Sequence, residues 1–140
     1  MPKKFEQISN QPGFMKHNGG IYFRKLSDKD YEFKVTIDKN KLNYVGITHG
    51  GYICSIIDAG AGTAAYRASN NFPCVTISLD IKFIGSTKLG DEIKGYTKIQ
   101  KITNSMIFLI CHLESNSNLV ATATGIWKKI KKKISNTKTS

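Results

Sequence analysis

Hydrophobic positions along the chain follow two different periods. Tyr31, Phe33, Val35 and Ile37 alternate with Glu32, Lys34, Thr36 and Asp38, which predicts a strand over 31–37 with one buried and one wet face. Residues 21–26 supply its partner through the polar turn 27–30, so an N-terminal hairpin is expected. From 50 to 68 the alternation stops; alanine, isoleucine and small residues dominate and proline is absent, which predicts one long helix. At 100° per residue, Ile53, Ile57, Gly60, Ala61, Ala64 and Ala68 share one face. The opposite face carries Ser55, Ala59, Gly62 and Tyr66, and it too is mostly small and uncharged. A helix of this kind is expected to be buried on most sides, wrapped by a sheet.

Alternation then resumes. Val75, Ile77, Leu79, Ile81 and Phe83 are expected on one face, and Thr76, Ser78, Asp80 and Lys82 on the other. After a turn at 85–90, three more strands are predicted at 93–102, 106–114 and 119–130, separated by polar hairpin turns. The order is two strands, a helix and four strands in a meander. This predicts an α+β fold, a curved antiparallel sheet wrapped around one long central helix. No internal repeat or second domain interrupts it, so a single domain over 1–130 is expected.

Composition supports this picture and narrows it. The 140 residues match one ordinary domain, and 40% hydrophobic with 22% charged residues are the proportions of a globular chain. No apolar run reaches the roughly 18 residues a spanning helix needs, and no apolar stretch follows the basic start, so no membrane span and a cytoplasmic location are expected. The formal charge of +11 points to an anionic partner. Part of it lies in Lys128, Lys129 and Lys131 to Lys133, and 131–140 reads as a basic, polar, solvated tail. The remaining body is still basic, and charge alone does not choose between nucleic acid, anionic lipid and a phosphorylated small molecule. No aromatic residue follows Trp127, so the tail offers no specific nucleic-acid surface.

Candidate chemistry concentrates at the start of the long helix. The first N–H groups of a helix have no partner within it, and Gly50 and Gly51 would let a ligand oxygen approach them. The helix dipole adds partial positive charge there, which suits a developing oxyanion; the same glycines would also serve a loop-to-helix turn. Asp58, two turns along, is the only acidic residue between Asp38 and Asp80. At the border of the apolar face it is expected to lie in a half-desolvated groove, the setting of a general base, although it could instead bond a neighbouring strand or face water. His49, just before the helix, is expected to fix the turn or to bond a substrate or main-chain group, since neither His17 nor His112 stands at metal-ligand spacing from it. Asn43 could do the same or be a turn residue. Cys54, Cys74 and Cys111 are far apart and sit in apolar segments that would raise a thiol pKa, so they read as buried, reduced thiols.

The pattern Asn43-x5-His49-Gly50-Gly51-x6-Asp58 resembles the signature of the PaaI-type (phenylacetate-degradation) acyl-CoA thioesterases of the hotdog superfamily. Residues 75–83, and Lys88-Leu89-Gly90-Asp91 after them, resemble that family's strand after the helix and its glycine-acid turn; the likeness covers roughly 13–129. It implies hydrolysis of an acyl-CoA thioester by a homodimer or dimer of dimers, with no metal or redox cofactor, at sites between subunits. Asp58 would activate water or attack the carbonyl, Gly50 would supply the oxyanion-hole N–H, Asn43 would orient substrate or water, and Thr76 would hold the water or the aspartate. Asn43, His49 and Gly50 would come from one subunit, Asp58 and Thr76 from the other. His49, Gly51 and Tyr52 would contact substrate, with Tyr52, Ile53, Ile56 and Tyr66 setting pocket depth. Thr76 stands where many relatives have serine, and Ser86 where proline is common. A non-catalytic acyl-CoA-binding sensor or carrier is the chief alternative, and a hotdog hydratase would need a His-Asp or His-Glu pair that the loop and helix do not show.

Overall fold

The computed structural model describes residues 3–130; the basic tail expected at 131–140 lies outside the described residues. The chain runs β1 (Glu6–Ile8), α1 (Phe14–His17), β2 (Ile21–Lys25), β3 (Asp30–Thr36), a 3-10 turn (Lys39–Lys41), α2 (Gly50–Ala68), β4 (Cys74–Phe83), β5 (Glu92–Ile102), β6 (Met106–Ser115) and β7 (Asn118–Lys129). All strands join one antiparallel sheet in the order β1-β2-β3-β5-β6-β7-β4. Helix α2 touches every strand from β2 to β7, so the sheet curls around it. This is the hotdog arrangement. No helix among the described residues is long and apolar enough to cross a membrane.

The expected four-strand meander is only three strands long. β5, β6 and β7 follow one another, but β4 pairs with β7 at the far edge, and β5 pairs with β3. The segment 84–91 therefore crosses the end of the sheet instead of making a tight turn. Its backbone is tied down on the way: Ile84 and Gly85 N–H groups donate to Val120 O, and Gly90 N–H donates to Ile37 O. Thr48 N–H donates to Thr87 O at 2.9 Å, and the two threonine hydroxyls share a buried bond of 2.6 Å. The crossing strap thus holds the loop that leads into α2.

A second departure concerns β4. Its pairing with β7 is regular at Cys74, Val75 and Thr76, then skips Ile77 and resumes at Ser78. One extra residue in a strand reverses the sense of alternation across the bulge. Thr76 therefore pairs with the buried Trp127 and shares the helix side with Leu79, Ile81 and Phe83, whereas Val75 and Ile77, expected inside, are exposed. The single chain leaves β4 as an open, largely apolar edge.

The core forms where the buried face of α2 (Tyr52, Ile53, Ile56, Ile57, Gly60, Ala61, Ala64 and Ala65) meets the inner faces of the strands. The opposite helix face, with Asp58 and Tyr66 exposed and Ser55, Ala59 and Gly62 half-buried, is not covered by this chain, contrary to the expectation of burial on most sides. Close approach of helix and sheet depends on Phe33. Its fully buried ring fills the space above Gly95, its direct cross-strand partner, and against Gly60. A Cβ at Gly60 or at Gly95 would overlap that ring. Gly60→Ala should accordingly lower stability by about 1–3 kcal/mol through overpacking, even though alanine favours helix. A chemical denaturation midpoint at or above that of the unaltered protein would contradict this packing.

Candidate active site

The loop entering α2 is rigidly built. Asn43 Oδ1 accepts from Val45 N–H at 3.1 Å and Ile47 N–H at 3.2 Å, Asn43 N–H donates to Ile47 O, and Gly46 turns the chain with a φ of +89°. Asn43 is therefore a turn residue first. Its amide nitrogen has no hydrogen-bond partner among the described residues. His49 N–H donates to Lys41 O at 2.8 Å, which fixes the next residue in the loop.

His49 is the N-cap of α2, with extended backbone (φ −64°, ψ 134°), and its Nδ1 accepts from Gly51 N–H at 2.8 Å. A ring nitrogen that accepts carries no proton, so the neutral ring holds its hydrogen on Nε2 and presents it as a donor. This cap separates the two glycines that the sequence treats alike. The Gly51 N–H is engaged by His49, and a side chain at 51 would meet the imidazole at 2.9 Å. Gly50 differs on both counts. Its N–H has no partner among the described residues, and a Cβ there would meet only the Phe83 ring, at an ordinary 3.6 Å. Packing within the chain demands glycine at 51 but not at 50.

The unpartnered Gly50 faces a cavity of about 190 Å³ that it shares with Asn43, Ile47, Ile53, Phe83 and Val120. A second cavity, about 300 Å³, lies on the other flank of the helix start and is lined by His49, Gly51 and Tyr52 with Phe14, Lys41 and Leu42. Tyr52 itself is 7% exposed, its hydroxyl has no hydrogen-bond partner among the described residues, and burial followed by the charge of Asp38 pushes its pKa well up. Lys41 lies over the Tyr52 ring at 5.4 Å while its Nζ donates to Thr36 O and Asp38.

Further along the helix, the Thr76 hydroxyl donates to Asp58 Oδ1 at 2.6 Å. The β4 bulge makes this bond possible by turning Thr76 inward. Asp58 is exposed, so the groove expected to desolvate it is not formed by this chain alone. The chain thus brings together Asn43 with Gly50, His49 with Gly51 and Tyr52, and Asp58 with Thr76. It does not bring Gly50 to Asp58. Eight residues separate them on one helix, about 12 Å of axial rise. Phe83 and the Thr48–Thr87 lock were not singled out from sequence; Phe83 reads there as one more position of an alternating strand.

The Cys74 and Cys111 thiols are poor nucleophiles. Burial pushes Cys111 up to about 11 and raises Cys74 as well.

A curved antiparallel sheet wrapped around one long helix defines a hotdog protein. The Thioesterase superfamily pattern matches residues 45–122, more than half of the chain, and the chain belongs to that superfamily. A Pseudomonas aeruginosa protein provisionally described as an esterase is 27% identical over 128 residues, covering 91% of this chain and 96% of the relative. A phenylacetic acid degradation-related protein of Ralstonia eutropha superposes with a TM-score of 0.75 at 19% identity, over 86% of this chain and 93% of the other. A hypothetical thioesterase of Streptococcus pneumoniae solved with coenzyme A gives 0.73 at 20% identity, over 91% and 96%. These structures share the fold.

Proposed function

We propose that this protein hydrolyses acyl-CoA thioesters to a free acid and coenzyme A, in the manner of the PaaI-type enzymes, as a homodimer or dimer of dimers with each site between subunits. The observation that carries this reading is the unpartnered Gly50 N–H at the mouth of an apolar cavity. A helix-start N–H donates to the thioester oxygen as charge develops on it, and the helix dipole adds to the effect. The Asn43 amide and the His49 Nε2–H are further donors on the same loop. Asp58, held through one oxygen by Thr76, keeps the other for a water proton; water attacks the carbonyl carbon, the C–S bond breaks, and the departing thiolate takes up a proton. In the alternative course Asp58 attacks directly, and water then hydrolyses the anhydride. Label in the Asp58 carboxyl group after single turnover in ¹⁸O-water would establish the second course, with water attacking the aspartyl carbonyl of the anhydride.

The 12 Å between donor and carboxylate is too far for one carbonyl carbon to use both within a chain. A second copy laid along the uncovered helix face would close the gap and cover the apolar β4 edge. Mixing Asp58→Ala chains with Gly50→Pro chains should restore about a quarter of wild-type turnover, since half of randomly formed dimers are mixed and each carries one intact site. No recovery after verified subunit exchange would place both groups in one chain's site.

A panel of short, medium, long and aromatic acyl-CoAs, followed by release of free thiol, tests the activity itself. The coenzyme A bound to the Streptococcus pneumoniae relative and the basic body of this chain favour such a substrate. Saturable binding without thiol release would make the protein a sensor or carrier instead. The domain ends near residue 130 in this reading, so a chain truncated after Ile130 should turn over substrate like the full one; activity lost while the dimer persists would put the tail in the site.

A further inference from the structure

At the sheet edge opposite β4, three stretches of chain bring five cations around one cavity of about 250 Å³. Lys3 and Lys4 precede β1, Arg24 and Lys25 end β2, and Arg67 comes from the last turn of α2. Glu6 is the one carboxylate in the lining. Three of the cations are matched: Arg67 with Glu6 at 2.7 Å, Arg24 with the buried Glu32 at 2.6 Å, and Lys25 with Asp28 at 3.1 Å. Lys3 and Lys4 make no ion pair among the described residues.

Like charges gathered in a concavity focus a positive potential. The arginines are also held in place. The Arg67 guanidinium lies over the ring of the fully buried Phe23 at 5.4 Å, and that of Arg24 over Phe5 at 4.2 Å. Each directs only part of its donor fork at its carboxylate, Arg67 through Nη2 and Arg24 through Nε and Nη2. Donors therefore remain, already oriented, so little rotamer entropy is lost when an anion arrives. The anion that suits forked guanidinium donors flanked by ammonium groups is a phosphate. The size of the cavity favours a compact phosphomonoester or pyrophosphate group over a nucleic-acid strand.

The position is remote from the chemistry. Arg67 follows Gly50 by 17 residues of the same helix, about 26 Å of rise, and the β1–β2 edge lies across the whole sheet from Thr76. We propose that this pocket binds the phosphate group of a small molecule at a site separate from the thioester site. Titration calorimetry of the full chain with inorganic pyrophosphate should show one saturable site per chain. Lys3→Gln/Lys4→Gln and Arg67→Gln should each weaken it by about tenfold or more. The lysine pair makes no ion pair or side-chain hydrogen bond among the described residues, so that variant should keep the fold if Arg67→Gln does not. Lys98→Gln/Lys101→Gln, an equal loss of charge on the exposed part of β5, should leave the affinity in place. KM for acyl-CoA should stay within about twofold in the pocket variants. The proposal is overturned if pyrophosphate does not saturate, if the β5 control weakens it equally, or if KM rises in step with the lost affinity, which would make the pocket the coenzyme's own phosphate cradle. The calorimetric arm does not depend on turnover, so it stands or fails apart from the thioesterase reading.

Discussion

Asp58→Ala should lower kcat for acyl-CoA hydrolysis by about a hundred- to ten-thousand-fold, the range typical of removing a positioned general base. Stability should change little, because the carboxylate is exposed and its one protein partner is the Thr76 hydroxyl, so truncation leaves no buried charge behind. Asp58→Asn sharpens the test. Its amide oxygen can still accept from Thr76, so shape and tether survive while the negative charge is lost. Both variants should bind a non-hydrolysable acyl-CoA analogue as the unaltered protein does. Turnover within a factor of two of wild type in either would falsify the role given to this residue.

Gly50→Pro should reduce kcat by about a hundred- to a thousand-fold, the usual consequence of deleting one oxyanion donor. The substitution is unusually clean here. Gly50 is the first helical residue after the His49 cap, a position proline favours because the N–H it lacks has no partner in the helix. His49 already has the extended backbone that a residue before proline prefers. Gly50→Ala is the matching control: it keeps the N–H and adds a methyl group that meets Phe83 at ordinary contact distance. If the two substitutions are equally damaging, crowding of the cavity rather than loss of the donor is responsible, and the oxyanion role is wrong.

Much of this architecture is legible in the chain because its elements are long and periodic. Helix α2 spans the 50–68 stretch of small apolar sequence, and six of the strands fall within two residues of their expected bounds. What escapes is short or non-local. β1 has three residues and α1 four, too few for any period to show. The place of β4 beside β7 depends on pairing partners 38 to 55 residues away, from Phe83 with Ala121 to Cys74 with Lys129, which local pattern does not encode. The site was half legible in the same sense. The glycines, the histidine and the lone aspartate mark it, but which glycine keeps its N–H free is decided by the His49 ring, and the Thr76–Asp58 bond by a bulge. Val75 and Ile77 are instructive because their alternation reads as burial while the single chain leaves them in solvent. Their hydrophobicity suits an edge that a second subunit covers.

The bulge at Ile77 makes the orientation of Thr76 a question of parity rather than of residue identity. Replacing Ile77 with another strand-forming residue leaves an odd residue in the ladder and keeps the hydroxyl on Asp58. Deleting it would make Thr76 opposite Trp127 and Ser78 opposite Ile126 consecutive pairs of a regular ladder, so the hydroxyl should stay on the helix side. What would turn Thr76 outward is a ladder that keeps Ile77 but loses the bulge, because unbroken alternation puts residue 76 on the face of Ser78, Asp80 and Lys82.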